Sequence, residues 1–198
     1  MRGLYIHIPF CHQICFYCDF NKVFYANQPV DAYIEALGVE LQQYAKYAGE
    51  LETVFIGGGT PTALTVEQLD RLLTLIERVV DPKTLREYTI EANPDELTRE
   101  KLQLLYARGV HRLSIGVQSF NDELLKKIGR THSAHHVEEV IQTAREVGFE
   151  NISIDLIYAL PEQTMDDWKE TVRRALALDL PHYSAYSLII EPKTRFYN

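Results

Sequence analysis

The chain carries the sequence Cys11-His12-Gln13-Ile14-Cys15-Phe16-Tyr17-Cys18 directly after its first apolar run, residues 4–8. These three cysteines are the only ones in the sequence. An odd number of cysteines in one short stretch does not suit a disulfide framework and favours metal or redox chemistry. Three thiolates on one loop can hold a cubane iron–sulfur cluster and leave one of its irons without a protein ligand.

Short β-branched runs alternate with longer segments of helical periodicity along the whole chain. This alternation is typical of repeated βα units that build a parallel sheet. The predicted strands cover residues 4–8, 53–56, 88–92, 112–117, 152–157 and 183–188. The cysteine loop follows the first strand, so we expect it at the carboxyl edge of the sheet, where α/β barrels carry their chemistry.

Helix starts are marked by the residues that cap them. Apolar residues with helical spacing begin at Val30, and Thr65 with Gln68 forms a capping-box pattern for the next helix. Good N-cap residues predict four later helices and a C-terminal glycine predicts where one of them ends. The caps are Thr98, Asn121, Ser133 and Thr164, and the glycine is Gly148.

Composition limits the classes of function. The 198 residues are 46% hydrophobic and 24% charged, which is ordinary for a globular domain, and the net charge is −8 without a dense run of Lys or Arg. Nucleic acid is therefore not an expected partner. We find no signal peptide and no run of about 20 apolar residues, so we predict a cytoplasmic protein without a membrane span. We expect residues 1–198 to form one core domain, the N-terminal part of a longer protein.

A structural zinc site, completed by His7 or His12, is the alternative use of the three cysteines. Zinc sites usually pair their ligands as two separated knuckles, which the compact triplet does not resemble. Under this alternative the protein would be a zinc-stabilised binding module without catalytic activity.

The cysteine stretch resembles the defining motif of the radical SAM superfamily. In that superfamily three cysteines hold a [4Fe–4S] cluster, and the amino and carboxylate groups of S-adenosylmethionine chelate the fourth iron. The resemblance implies an α/β fold, a partial (β/α)6 TIM-like barrel with parallel strands. It also implies that Cys11, Cys15 and Cys18 are the metal ligands.

Further motifs lie at the ends of later strands. The turn Gly57-Gly58-Gly59-Thr60-Pro61-Thr62 lets backbone N–H groups approach a ligand, although a plain tight turn explains three glycines equally well. Polar residues interrupt three buried strands, where each needs a partner to offset its desolvation. They are Glu91, Gln118 and Asp155, and each alone is also explained by a helix cap or an arginine partner.

Together these motifs resemble the coproporphyrinogen dehydrogenase branch of the superfamily, and the match spans essentially all of the chain. The resemblance implies a set of residues that bind S-adenosylmethionine: Tyr5, Tyr17, Gly58, Gly59, Thr60, Glu91, Gln118, Arg130 and Asp155. By contrast, His132, His135 and His136 border a predicted helix start, where exposed or capping histidines are common, and we assign them no metal role.

Two departures distinguish the chain from the dehydrogenases of this branch. Those enzymes carry a further cysteine two residues after the third ligand, where this chain has Phe20, and an N-terminal extension, where only ten residues precede Cys11. Both departures resemble the sister group of heme chaperones. The resemblance implies a protein that binds heme and transfers it to a heme-accepting protein. The alternative is an active radical SAM oxidoreductase of the oxygen-independent coproporphyrinogen III oxidase type.

Overall fold

The structure, a computed structural model, describes residues 2–197. Its strands are β1 Gly3–Ile8, β2 Phe10–Cys11, β3 Val23–Phe24, β4 Thr53–Gly58, β5 Glu87–Ala92, β6 Arg112–Gln118, β7 Asn151–Tyr158 and β8 His182–Ser187. Its α-helices are α1 Val30–Tyr44, α2 Val66–Glu77, α3 Arg99–Ala107, α4 Asp122–Lys127, α5 Ala134–Val147 and α6 Met165–Ala177. None of the helices in this described part is long and apolar enough to cross a membrane.

Six strands form one parallel sheet in the order β1-β4-β5-β6-β7-β8. The six strands predicted from the sequence are therefore confirmed, with ends that differ by one or two residues. Helices connect consecutive strands of this sheet, which is the βα repeat that the alternating pattern predicted. The expected α/β class with a parallel, barrel-like sheet is confirmed, and β1 and β8 are its edge strands.

The two faces of the sheet differ in polarity because successive side chains of a strand point to opposite sides. Ile6, Ile8, Ile56 and Ile90 are fully buried in the core that the helices cover. The alternate positions define what we call the polar face, with Tyr5 and His7 on β1, Glu91 on β5, Ser114 on β6 and Asp155 on β7. The fold therefore gathers polar side chains from several strands on one surface.

The helix caps explain why these segments start where they do. Thr65 and Gln68 form the predicted capping box, and Thr98, Asn121 and Ser133 accept hydrogen bonds from backbone N–H groups in the first turns of their helices. Such caps each contribute about 1 kcal/mol. Helix α6 has a second capping box, in which Thr164 pairs with Asp167 rather than with the usual Glu or Gln.

A small parallel pair, β2 with β3, closes the cysteine loop at its base. Val23 N donates to the Pro9 carbonyl at 2.8 Å, and Tyr25 N donates to the Cys11 carbonyl at 2.8 Å. Two-residue strands are too short to produce a periodic signal, so the sequence did not predict this pair. We call these hydrogen bonds the loop clasp, and they fix the two ends of residues 12–22.

Candidate cofactor site

A cavity of about 490 Å³ opens at the carboxyl ends of the sheet strands. This is the edge at which α/β barrels bind their ligands. Its walls include almost every site residue that the sequence predicted: Cys11, Cys15, Cys18, Tyr17, Gly58, Gly59, Thr60, Glu91, Gln118, Arg130 and Asp155. The fold thus brings together residues that are up to 144 positions apart, from Cys11 to Asp155.

The three cysteines are free thiols that meet in this cavity. Burial raises the pKa of Cys11, while the Thr60 hydroxyl, which donates to Cys11 Sγ at 3.4 Å, acts in the opposite direction. Burial also raises the pKa of Cys18, and the Lys22 ammonium opposes that rise. Thiols of this kind hold their protons until a metal displaces them, so cluster binding should release protons.

The sulfur of Cys15 lies between a guanidinium and a phenol. Arg130 Nη1 donates to Cys15 Sγ at 3.5 Å, and the Tyr17 hydroxyl donates to the same sulfur. Burial is the main cause that raises the Tyr17 pKa, so the phenol stays a donor. The Arg130 side chain also donates to the Gly116 carbonyl. A cation and a phenol therefore both donate hydrogen bonds to this one sulfur.

The geometry separates the cluster interpretation from the zinc interpretation. Within residues 2–197, no three His, Cys, Asp or Glu side chains converge as ligands of one ion. His7 Nε2 donates to the Asn21 carbonyl at 2.8 Å, and His12 Nδ1 pairs with Glu96 Oε1 at 2.8 Å, so both rings have other partners. A cubane binds each thiolate through a different iron and does not need a single point of convergence. The donor set therefore fits a cluster better than zinc.

Tyr5 does not line this cavity. Its hydroxyl donates to His7 Nδ1 at 3.0 Å, and its ring stacks on Phe55 with 6.1 Å between centroids. It belongs instead to a separate cavity along the β1 edge, together with Tyr33 and Tyr44. Tyr5 shares the polar face with Glu91, but the structure does not bring it to the predicted site.

The glycine turn is built around the chain itself. Gly58 has φ +121°, and a Cβ there would lie 2.9 Å from the Ile8 carbonyl oxygen. A Cβ on Gly59 would lie 2.9 Å from Cys11 Sγ. The Gly58 N–H donates to Glu91 Oε2 at 2.9 Å, so this N–H already has a hydrogen-bond acceptor within the protein. These glycines therefore let the turn pass beside the cysteine loop, which favours the tight-turn explanation for their backbones.

Two half-buried carboxyl groups face the cavity from β5 and β7. Burial raises the pKa of Glu91, and the Gly58 N–H opposes the rise. Burial likewise raises the pKa of Asp155, which the hydroxyls of Ser184 and Ser114 oppose. A ligand that brings hydroxyl or amino donors into the cavity would stabilise the ionised form of each carboxyl group.

Comparison with known proteins assigns the family. A sequence profile described as "Radical SAM superfamily" matches residues 5–175. The chain belongs to the radical SAM superfamily. Membership implies a [4Fe–4S] cluster and S-adenosylmethionine as cofactors, in agreement with the thiols and polar groups of the cavity.

Relatives within the superfamily carry two different names. "Heme chaperone HemW" from Bacillus subtilis (strain 168) is 54% identical over 201 residues, which cover 100% of this chain and 53% of that protein. "Oxygen-independent coproporphyrinogen III oxidase" from Salmonella typhimurium is 36% identical over 188 residues, covering 93% of this chain and 41% of that protein. The chain spans about half the length of the curated relatives it matches.

Solved radical SAM structures share the fold. Coproporphyrinogen III oxidase (HemN) from Escherichia coli superposes with a TM-score of 0.88 at 36% identity, over 96% of this chain and 44% of that one. The methyltransferase TsrM from Kitasatospora setae superposes with a TM-score of 0.73 at 17% identity, over 98% of this chain and 38% of that one. The second likeness shows the fold alone.

The cavity also contains residues that the sequence did not single out. Asn93 Nδ2 donates to Thr60 Oγ1 at 3.1 Å and so joins the glycine turn to β5. Ser114 hydrogen-bonds Asp155 and contacts Ser153 Oγ at 3.2 Å. Lys22 donates to the Cys18 carbonyl. Asn93 follows Glu91 by two positions and Ser114 shares its face, so strand alternation would have found both, whereas nothing local marks Lys22.

The half-buried carboxyl groups Glu91 and Asp155 predict how stability depends on pH. Because the folded-state pKa of Asp155 is raised, the unfolded chain binds fewer protons between the two pKa values, and stability falls as pH rises from about 4 through the folded value. We expect Asp155→Asn to remove part of this fall and to stabilise the apo protein at neutral pH. Glu91→Gln should act in the same direction. Urea unfolding of the apo variants between pH 4 and 7.5 measures this. An unchanged or steeper fall in both variants would contradict the prediction.

Proposed function

We propose that the chain is the radical SAM core of a heme chaperone. In this proposal Cys11, Cys15 and Cys18 hold a [4Fe–4S] cluster, S-adenosylmethionine occupies the rest of the cavity, and the whole protein binds heme and passes it to a heme-accepting protein. The observation that carries the proposal is the grouping of three free thiols with Glu91 and Asp155 in one cavity of sufficient size.

Different residues of the chain bind the cluster and S-adenosylmethionine. The chemistry that the bound cluster supplies is the transfer of one electron to the sulfonium of S-adenosylmethionine. Arg130 and Tyr17 hold the Cys15 sulfur in place through the hydrogen bonds described above. Glu91, Gln118 and Asp155 offer acceptors and donors for the ribose, amino and carboxylate groups of the ligand. Tyr5 lies outside the cavity, so its contact with S-adenosylmethionine stays a prediction.

Phe20 favours the chaperone over the oxidoreductase. It stands where the dehydrogenases of the branch have a further cysteine, and it lies at the rim of the cavity with 67% of its surface exposed. An exposed aromatic ring offers apolar contact area and no thiol for chemistry. The 54% identical relative that is named a heme chaperone supports the same choice. The oxidoreductase stays the second candidate because the oxidases are 36% identical relatives.

Residues 1–198 are proposed to be one core domain of a longer protein. The half-length coverage of the relatives supports this. The cytoplasm is the proposed compartment, because three free, clustered thiols suit a reducing environment.

Heme transfer and porphyrinogen turnover test the proposal together. Full-length protein, reconstituted anaerobically and reduced, is expected to bind heme in a titration and to deliver it to an apo-hemoprotein. The same protein incubated with coproporphyrinogen III and S-adenosylmethionine is expected to give no protoporphyrinogen.

The rate of protoporphyrinogen formation decides between the chaperone and the oxidoreductase. Formation of protoporphyrinogen at about one per minute or faster, against about ten per second for a typical enzyme, would establish the oxidoreductase instead. Iron and sulfide analysis of the same preparation is the control, because a protein without a cluster fails both assays for a trivial reason. Reconstituted protein that binds neither heme nor S-adenosylmethionine would remove both candidates.

A further inference from the structure

Gln118 lines the cavity from an unusual backbone conformation. It is the last residue of β6, and its φ is +68°. Ser119 N donates to the Val117 carbonyl at 2.9 Å, across Gln118. A hydrogen bond between residues two apart, with a positive φ at the central residue, defines a γ-turn of the rare and strained kind. The pairing of β6 with β7 shifts register at the same place, between Gly116 and Gln118.

A strained turn of this kind persists only where its surroundings hold it. On the far side, Ser119 is fully buried and its hydroxyl contacts Thr171 Oγ1 at 3.3 Å. On the near side, His132 Nε2 lies 3.0 Å from the Val117 carbonyl oxygen. Both flanks of Gln118 are therefore fixed by side chains from elsewhere in the chain.

His132 is buried, with 5% of its surface exposed, and is not the exposed helix-start residue that the sequence favoured. A carbonyl oxygen only accepts, so the ring must carry its proton on Nε2 and donate it. Nδ1 is also buried and has no hydrogen-bond partner among residues 2–197. The one polar contact of this ring is therefore directed at the turn that carries Gln118.

Burial is the main reason why the ring stays neutral. Burial, then Arg130, lowers the pKa of His132 to about 4, while Asp95 opposes this and His136 adds to it. Arg130 itself donates to the Gly116 carbonyl, and Thr131 donates to Asp95. Residues 130–132 thus hold two consecutive carbonyls at the end of β6, those of Gly116 and Val117, and are anchored in turn by Asp95.

We propose that His132 is a positioning residue, which acts on the S-adenosylmethionine cavity by holding the γ-turn that aims Gln118 into it. The inference rests on the proposed function, since it takes S-adenosylmethionine to be the ligand that Gln118 meets. His132 itself does not line the cavity. Its influence on binding should therefore pass through Gln118.

A double-mutant cycle tests this route. S-adenosylmethionine affinity is measured by equilibrium binding to reconstituted, full-length protein for wild type, His132→Leu, Gln118→Ala and the double variant. His132→Leu is expected to weaken binding by about tenfold. In the Gln118→Ala background the same change is expected to add less than about twofold, because coupled residues are not additive. His132→Gln, which keeps an N–H donor at similar reach, should recover most of the affinity.

Iron content and Tm of every variant separate positioning from folding. If His132→Leu does not fold, the cycle is run with His132→Asn, whose shorter side chain loses the Val117 contact. Gln118→Gly should raise the Tm of the apo protein, because glycine adopts a positive φ without strain. Independent, additive effects of His132 and Gln118, or a lower Tm of Gln118→Gly, would overturn the positioning role alone. Wild-type protein with a full cluster and no S-adenosylmethionine binding would overturn the proposed function and this inference with it.

Discussion

Replacing Cys15 with alanine is expected to abolish the iron–sulfur cluster. Two remaining thiolates cannot hold a cubane that already has one iron without a protein ligand. The substitution also removes the sulfur that Arg130 and Tyr17 contact. After anaerobic reconstitution, iron and sulfide per chain should fall to background, and the broad visible absorption of the cluster should disappear. We expect the same for Cys11→Ala and Cys18→Ala.

The matched control is His12→Ala. His12 lies in the same loop, but its ring pairs with Glu96 and does not line the cavity. This variant should keep its full iron content. Zinc binding that depends on His12 would support the zinc alternative, and about four irons with sulfide retained in a variant without all three cysteines would contradict the ligand assignment.

Replacing Arg130 with methionine is expected to lower both the stability of the protein and its affinity for S-adenosylmethionine. Arg130 is buried, and its loss leaves the Gly116 carbonyl without this donor. An unsatisfied buried acceptor costs about 1–3 kcal/mol, which should appear in urea unfolding of the apo protein. The Cys15 sulfur also loses its neighbouring cation, so the cavity becomes less favourable for an anionic ligand group.

Arg145→Met is the matched control for this change. Arg145 also donates to two backbone carbonyls, those of Leu178 and Asp179, at 2.5 and 2.9 Å, but it is exposed and lies outside the cavity. Water can replace its hydrogen bonds, so the loss should stay within about 0.5 kcal/mol. Arg130→Lys should be intermediate, because an ammonium keeps the charge and lacks the planar fork. Equal losses for Arg130→Met and Arg145→Met would contradict a special role of Arg130.

Local signals were sufficient for most of the fold. The strands of the sheet were predictable because each is a short apolar run, and the helix starts because Thr65, Thr98 and Ser133 place a side-chain oxygen where the first N–H groups need one. The loop clasp was not predictable, since its strands have two residues each and depend on the path of the chain between them. Alternation then determines which face of the sheet each strand residue occupies.

The candidate site was predictable for a related reason. Parallel strands end at one edge, so polar residues near strand ends, such as Glu91 and Asp155, meet there whatever their separation in sequence. The sequence does not determine where every side chain points. Ser133 correctly marks a helix start, yet tertiary packing turns the adjacent His132 inward against Val117. Alternation places Tyr5 on the polar face but does not determine how close its side chain lies to the cavity. The Tyr5 hydroxyl hydrogen-bonds His7 and does not line the cavity.

The loop clasp lowers the entropy cost of bringing the metal ligands together. Bringing the ends of a flexible loop together costs entropy. If those ends are apart in the free protein, this cost weakens ligand binding. Here two backbone hydrogen bonds join those ends, and a third, from Phe16 N to the Ile128 carbonyl at 3.0 Å, ties the loop to the C-terminal end of α4. Cluster uptake should therefore resemble the filling of a preorganised ligand set, with little of its binding free energy diverted to ordering residues 12–22.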